Sequence, residues 1–551
     1  MAGAHDVSGL SLEGERASLL HAREAVRAKI DKLSGIAALP ELGGADAVAD
    51  EYIDAVVRGA IEKMRQELVT FGRIDDDHAW RIGLYGIDDG AGDQLVVDWR
   101  TPFAAAFYQA NFDDPHGLQR RVSYVGCIDD LMVEDFASGE VSGSSPLMAE
   151  LSRSRGETMK AAVATLQSEQ DRLVRLPPRD RLVVRGGPGT GKTVVGLHRA
   201  AWLVYHDTRV TAERILVLGP SDRFLRFVAT VLPTLGETRI LQVTFDRLMG
   251  ETTPAGHDER WVDVLDRLES SLPEPAPIQV GLTRLKVDEV SDLVERFATS
   301  PLPWRDRRNL FVGAVARRCE VSRAEASKAT SKVFPAATVR QVWQRLRRRS
   351  VLDDLGAPPD LVDRWLAEEP EPAGALHDEI RARFEGVPAK YSHVIVDEAQ
   401  DLSLLALRSV LRRADGVTMV GDDAQRSAEH GIGLERAARL AGAEMAVMDT
   451  AYRMSAEIAD WLNAHAEAND IPAVHLDGIR PTGVPVRRVA DARTALDELG
   501  ERWPNVIAIG PGEVWDHKGV EYDGVVVETA EMSPEEIYLA ASRAAHELVI
   551  A

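Results

Sequence analysis

The sequence predicts an α/β protein built on parallel sheets, and three observations carry that prediction. Short apolar runs at Leu182-Val183-Val184, Ile215-Leu216-Val217-Leu218 and Val394-Ile395-Val396 are each followed by a turn and a helical pattern, the alternation that builds parallel sheets. The first run leads into Gly186-Gly187-Pro188-Gly189-Thr190-Gly191-Lys192-Thr193 and then a helix through Tyr205. The third ends in the carboxylates Asp397-Glu398.

The chain of 551 residues is too long for one core. Its 45% hydrophobic and 28% charged residues are ordinary for a globular protein. A formal net charge of −23 argues against a protein that wraps nucleic acid. Cys127 and Cys319 are the only cysteines, too few for a disulfide framework and outside any zinc-ligand cluster. They are read as buried reduced thiols. No apolar run approaches the roughly 18 residues that cross a bilayer, and the start lacks a secretory pattern. The expectation is a cytoplasmic protein without a membrane partner.

In chain order, Leu12, Leu19, Val26 and Leu33 recur every seven residues with Ile30 between them, a narrow helical stripe. A Pro/Gly-rich turn follows. Ile53, Val57, Ile61, Met64, Leu68 and Phe71 then mark a second helix, so residues 1–74 are expected to form an antiparallel hairpin. Glu41, Asp46, Asp50 and Glu51 would make its tip acidic. Short strand patterns around Trp80, Gln94–Trp99 and Arg121–Val125 define a β-rich segment, 75–130. Residues 131–252 are expected to hold the first part of one lobe, including a helix from Arg155 to Val174 that Pro177-Pro178 stops. The alternation is lost over 253–385, a Pro-punctuated helical insert with basic runs Arg305, Arg307, Arg308, Arg317, Arg318 and Arg345, Arg347, Arg348, Arg349. The sheet resumes in 386–440. A second, shortened βα region occupies 441–551, with strands at Met445–Met448, Val506–Ile509, Val525–Val527 and Leu548–Ile550.

The glycine-rich run matches G-x-x-x-x-G-K-[ST] between a strand and a helix. Glycines let backbone N–H groups curl around a β-phosphate, and the positive end of the following helix adds attraction. Lys192 would reach the β- and γ-phosphates, and the Thr193 hydroxyl would sit on Mg²⁺. Asp397 can complete the Mg²⁺ shell, while Glu398 can orient and deprotonate an attacking water. ATP and Mg²⁺ are the implied cofactors. The transition state needs further positive charge. Arg453 and Arg543 are the candidates for it, although spacing alone does not select them.

The order Gln170, GGPGTGKT (186–193), DEAQD (397–401), GDDAQ (421–425), YR (452–453), HKGVEYD (517–523), YLAASRA (538–544) resembles the UvrD-like superfamily 1 helicase motor. Asp98-Trp99-Arg100-Thr101-Pro102-Phe103 and Ala164–Asp171 are similar to the HelD branch, whose HelR form recycles RNA polymerase and is associated with rifamycin protection. The resemblance implies two RecA-like lobes with ATP between them. It implies that Gln170 reads the adenine edge, Tyr452 stacks on the base, Glu521 meets the ribose, Gln425 senses the γ-phosphate, and Arg453 and Arg543 act as fingers. The family uses its amino-terminal hairpin and its insert to enter polymerase channels, so core RNA polymerase is the implied partner, with DNA met only indirectly.

Some residues depart from the pattern. Arg426-Ser427-Ala428-Glu429-His430 follows Gln425 where unwinding relatives carry an aromatic platform, worth roughly 1–3 kcal/mol per stacked base. Val194, Ala451 and Ser542 replace the usual Arg, Asn and Thr, and Ile509–Lys518 is too short for a full βα unit. Three readings stay open: a factor that strips polymerase from nucleic acid, a DNA helicase or translocase, and a polymerase-binding relative with weak turnover.

Overall fold

A computed structural model describes residues 12–37, 70–125, 127–143, 166–237, 239–387 and 391–551. The strand Arg181–Gly186 lies inside a six-stranded sheet of order Leu241–Thr244, Ile215–Gly219, Tyr391–Val396, Ala414–Gly421, Arg181–Gly186, Glu444–Met448. Every neighbouring pair is parallel. Strands buried on both faces read as continuous apolar runs, and Leu182, Val183, Leu216, Val217, Val394, Val396, Met419 and Val420 are all almost fully buried. Glu444–Met448 pairs with the strand that leads into Gly186. The first lobe therefore runs to Met448, beyond the limit at 440 and past the expected start of the second lobe at 441. The reason is its edge position: Glu444 and Val447 are exposed along it, so the run lacks the continuous apolar pattern of the inner strands.

The second lobe has a four-stranded parallel sheet of order Arg487–Arg488, Ala544–Ile550, Tyr522–Val527, Val506–Ile509. Helices Ala456–Ala468, Ala492–Gly500 and Pro534–Ala541 cover it.

The β-rich segment is larger than its expected limits of 75–130. Seven strands run from Gly72 to Ser142 in the order Ile87–Asp88, Gln94–Asp98, Ala79–Gly83, Gly72–Asp75, Arg120–Val125, Cys127–Asp135, Glu140–Ser142. Cys127–Asp135 pairs antiparallel with Arg120–Val125 although it carries four acidic residues. Its partner supplies the compensating cations, with Arg121 donating to Glu134 at 2.5 and 2.7 Å, so a strand that looks like a polar boundary belongs to the sheet.

The helix Leu12–Ala37 packs its Ala22 and Val26 against Ile87 and Val96 of this sheet. Glu15, 2% exposed, accepts from Arg73 at 2.5 Å, Arg81 at 3.0 Å and the Tyr124 hydroxyl at 2.7 Å. Burial would raise the Glu15 pKa, but the two arginines and the tyrosine outweigh it and hold the carboxyl below its ordinary value. The second helix of the expected hairpin, its acidic tip and residues 155–165 of the helix before Pro177 lie outside the described residues. Among the described residues, no helix is long and apolar enough to cross a membrane.

The sheet is joined to the first lobe by a bracket around Trp99. Arg175, beyond the helix Ser168–Val174, donates to the carbonyls of Trp99 at 2.9 Å and Thr101 at 3.0 Å and pairs with Asp171 at 2.8 Å. Gln109 reaches the same Asp171 at 2.6 Å, and Arg100 bridges Asp98 and Glu237. The Trp99 ring meets His198 of the phosphate-loop helix edge-on at 5.5 Å.

The insert has its own core around Trp261, Trp304, Trp365, Phe311, Phe334 and Phe384. Each of the three indole N–H groups finds a carbonyl, as buried tryptophans require. Much of its basic run is spent inside the insert. Arg307 binds Glu269, Arg308 binds the Phe334 carbonyl, and Arg347 caps Glu368 and lies over the Trp365 ring.

The insert meets the first lobe along a buried ionic seam. Asp378 and Glu379, on the helix Gly374–Phe384, face the helix Leu404–Arg413. Asp378 accepts from Arg413 at 2.8 Å and Ser409 at 2.6 Å; Glu379 accepts from Arg383 at 2.7 Å, Arg408 at 3.3 Å and Arg412 at 3.0 Å. Burial would raise both carboxyls, yet the arginines and Ser409 bring them from ordinary values of 3.8 and 4.5 to about 2. A depressed folded pKa stabilises the fold above the unfolded value and loses that contribution as pH falls toward the folded one. The seam is therefore complete above about pH 4.5 and fails between there and about pH 2. Thermal melts from pH 7 to 3 should show Tm falling through this window. Glu379→Gln, which leaves three arginines around a neutral amide, is expected to cost about 3 kcal/mol at pH 7 and to flatten the acid dependence.

Candidate nucleotide site

The phosphate loop is shaped by two glycines in the left-handed region, Gly189 at φ 75° and Gly191 at φ 84°. A Cβ on Gly191 would stand 2.5 Å from the Gln170 amide nitrogen, so that position is closed to side chains by space as well as by conformation. Gln170 accepts from the Gln167 N–H and donates to the Thr190 carbonyl, both at 3.0 Å. Its amide is thus committed to ordering the loop.

Lys192, the first residue of the helix Lys192–His206, reaches the Gly187 carbonyl at 3.3 Å, and the Thr190 hydroxyl donates to the same carbonyl at 2.9 Å. A cation and a helix N-terminus thus converge on the loop, the arrangement that holds phosphates. Thr193 Oγ1 donates to Asp397 Oδ2 at 2.7 Å across a sequence separation of 204. A hydroxyl and a carboxylate are hard oxygen donors. They suit Mg²⁺, which keeps several waters and takes other ligands from phosphates.

Asp397 and Glu398 follow the strand Tyr391–Val396, and Glu398 adopts φ 54°. That left-handed turn at a bulky residue directs its carboxylate into the cleft, and such strain gathers at functional sites. Gln400 donates to Glu398 at 2.6 Å and accepts from the Asp422 N–H at 3.1 Å, joining the two acidic motifs. Burial and the adjacent Glu398 push Asp397 up to about 6 against the opposing pull of Thr193 and Lys192. Burial acts the same way on Glu398, but Lys518 and Lys192 outweigh it and hold Glu398 below its ordinary value.

The second lobe closes directly over the loop. Tyr452 N–H donates to the Gly189 carbonyl at 3.1 Å, and a Cβ on Gly187 would lie 2.4 Å from Leu476. Gln425 donates to Asp422 at 2.7 Å and accepts from Arg543 at 2.6 Å. Arg543 is 6% exposed, and burial lowers its pKa. Arg453 forms an ion pair with Glu521. The structure thus gathers the loop 186–193, Gln170, Asp397, Glu398, Gln425, Tyr452, Arg453, Glu521 and Arg543 around one cleft. Arg543 points at the Gln425 side, and Arg453 is turned to the ribose candidate.

Two cations were missed by the sequence reading. Lys518, in the quoted HKGVEYD string, crosses from the second lobe to Glu398 at 3.1 Å, Asp401 at 2.6 Å, the Gln425 carbonyl at 2.9 Å and Ser427 Oγ at 3.0 Å. Arg199, fully buried, gathers the carbonyls of Val174 at 3.1 Å, Leu176 at 2.6 Å and Pro177 at 2.8 Å and binds Thr418 at 2.9 Å. It caps the helix that carries Gln170. Arg199 follows Lys192 by seven residues on one helix, the spacing that could have flagged it; the contacts of Lys518 carry no local signal.

Residues 12–129 match a family model described as the DNA helicase IV HelD N-terminal domain, and residues 170–429 match an AAA domain. The chain is a HelD-like protein. No curated protein matches it. Its HelD-type domain and helicase-like AAA domain meet at the Trp99 bracket. Among solved structures it is similar to the Arterivirus nonstructural protein 10 helicase, at TM-score 0.29 and 12% identity over 70% of this chain and 62% of that one. The complex of that helicase with DNA gives 0.30 and 12% over 68% and 61%. The PRRSV helicase gives 0.28 and 13% over 79% and 62%. The chain spans about three fifths of the length of these helicases, and scores this low carry no argument about its activity.

Lys518 is the one side chain from the second lobe that touches Glu398 among the described contacts. Lys518→Ala should lower kcat for ATP at least about tenfold, equivalent to about 1.4 kcal/mol, while changing the Kd for nucleotide little. Steady-state kinetics beside fluorescent-nucleotide titration checks both halves.

Proposed function

We propose that this HelD-like protein is a cytoplasmic ATPase that binds core RNA polymerase and releases it from nucleic acid. The observation that carries the proposal is the Trp99–Arg100–Arg175 bracket. It ties the HelD-type domain to the helix bearing Gln170, so an arm docked on a polymerase and the nucleotide loop form one mechanical unit. The absence of an aromatic after Gln425 and the charge of −23 favour this over a strand-separating enzyme.

In this reading Lys192 and the N-terminus of its helix hold the β- and γ-phosphates. Mg²⁺, held by Thr193 and Asp397, would neutralise charge on the phosphate oxygens. Glu398, oriented by Gln400, takes the proton from the attacking water. Arg543, hydrogen-bonded through Gln425, and Arg453 deliver positive charge as the γ-phosphate departs. Tyr452 stacks on the base, Gln170 reads its edge, and Glu521 exchanges Arg453 for the ribose.

A second reading, polymerase binding with weak turnover, is favoured by the four-stranded second sheet. The purified protein should retain core RNA polymerase at moderate salt and hydrolyse ATP. Lys192→Ala should abolish hydrolysis and leave polymerase retention intact. Failure to retain polymerase would overturn the proposal, retention without turnover would select the second reading, and separation of a tailed duplex would select a helicase instead.

A further inference from the structure

The two finger candidates sit on different segments, and nothing in their motifs says how they keep a common geometry. Arg480 joins them. It is 6% exposed, on the stretch after Asp477–Gly478, and no motif includes it. Its Nη2 donates to the Arg453 carbonyl at 3.0 Å and also to the Ala545 carbonyl, two residues beyond Arg543. Its Nη1 lies 2.6 Å from His546 Nδ1. A guanidinium only donates, so Nδ1 accepts and the His546 proton is on Nε2, facing Asp523 at 3.7 Å. The imidazole is stacked on Trp503 at 4.2 Å and an interplanar angle of 4°. Two backbone bonds complete the knot: Ser455 N–H to the Ala545 carbonyl at 3.1 Å and Ala456 N–H to the Arg480 carbonyl at 2.9 Å.

We propose that Arg480 is the positioning residue of the second lobe, cross-linking the Arg453 segment to the strand after Arg543 so that both arginines meet the nucleotide as one unit. The planar fork is suited to the task, because it spans two carbonyls and an imidazole in fixed directions, which a lysine cannot reproduce. His546, Trp503 and Asp523 fix the fork in turn. The role rests on the ATPase reading for its effect on turnover, but not for its effect on the local backbone.

Arg480→Lys keeps the charge and loses the fork. It should lower kcat for ATP at least about tenfold with KM changed less than about threefold, and its loss should be smaller in an Arg453→Ala background, where only Arg543 is left to position. Amide exchange in residues 452–456 and 543–546 should rise together, while exchange in 186–193 stays as in the wild type. A kcat like the wild type's, additive losses with Arg453→Ala, or exchange that rises at only one of the two segments would overturn the proposal. If the wild type shows no turnover at all, the ATPase reading falls, and the exchange measurement alone decides on Arg480: a joint rise supports the cross-link, and unchanged exchange removes it.

Discussion

Two adjacent carboxylates at the end of one buried strand set the terms for the whole cleft. Asp397 is 3% exposed, and the Glu398 side chain is only 14% exposed. Removing charge from water costs several kcal/mol per ion unless partners compensate it. One cation, Lys192, comes from the phosphate loop itself. The other, Lys518, comes from the second lobe and lies on Glu398. Closing the cleft is therefore also an act of charge compensation, because parting the lobes would leave Glu398 with Lys192 alone. The same geometry explains the opposite shifts of the pair. Asp397, buried beside Glu398, carries the raised pKa against the pull of Thr193 and Lys192, while Glu398, on which Lys518 lies, is held below its ordinary value, stays ionised and is able to take a proton.

How much of this was legible in the sequence depends on how local each signal is. The phosphate loop, Asp397-Glu398 and the strands beneath them are contiguous patterns, and the structure places them in one sheet. The insert was read from a loss of alternation, and its core is built mainly from its own residues with Leu405 of the first lobe joining it. The edges of elements were not. Glu444–Met448 is short and half exposed, and Cys127–Asp135 hides its pairing behind acidic residues whose arginine partners lie on another strand. Lys518 and Arg480 were illegible for a common reason: each is a lone cation whose role lies in contacts made at long sequence distance, and a lone cation in a sequence is ordinarily a solvated one.

The basic runs of the insert show the converse. Such runs are mostly solvated helix faces, but Arg307, Arg308 and Arg347 serve the insert's own carbonyls and carboxylates. The seam at Asp378 and Glu379 then fastens that insert to the helix Leu404–Arg413, which begins three residues after Asp401, the end of the DEAQD motif. Ser403 caps this helix and is also 3.0 Å from His257, which stacks on His430 just past the GDDAQ motif. The insert is thus attached at the points where the first lobe's two acidic motifs end, rather than at an indifferent edge.

The small second lobe raises the question of what makes it stiff enough to hold two arginines on a phosphate. A four-stranded sheet with a two-residue edge strand supplies few ladder bonds. What it lacks in strands it has in buried cationic side chains that bridge separate segments. Arg543 binds Gln425, Lys518 binds four groups of the first lobe, and Arg480 binds the segments on either side of it. A guanidinium buried among carbonyls has directional bonds that an apolar contact lacks, so it fixes angles as well as distances. Precision at this site is carried by a few long-range charged bonds laid over a thin sheet, and the lobe can be short because those bonds converge on the cleft.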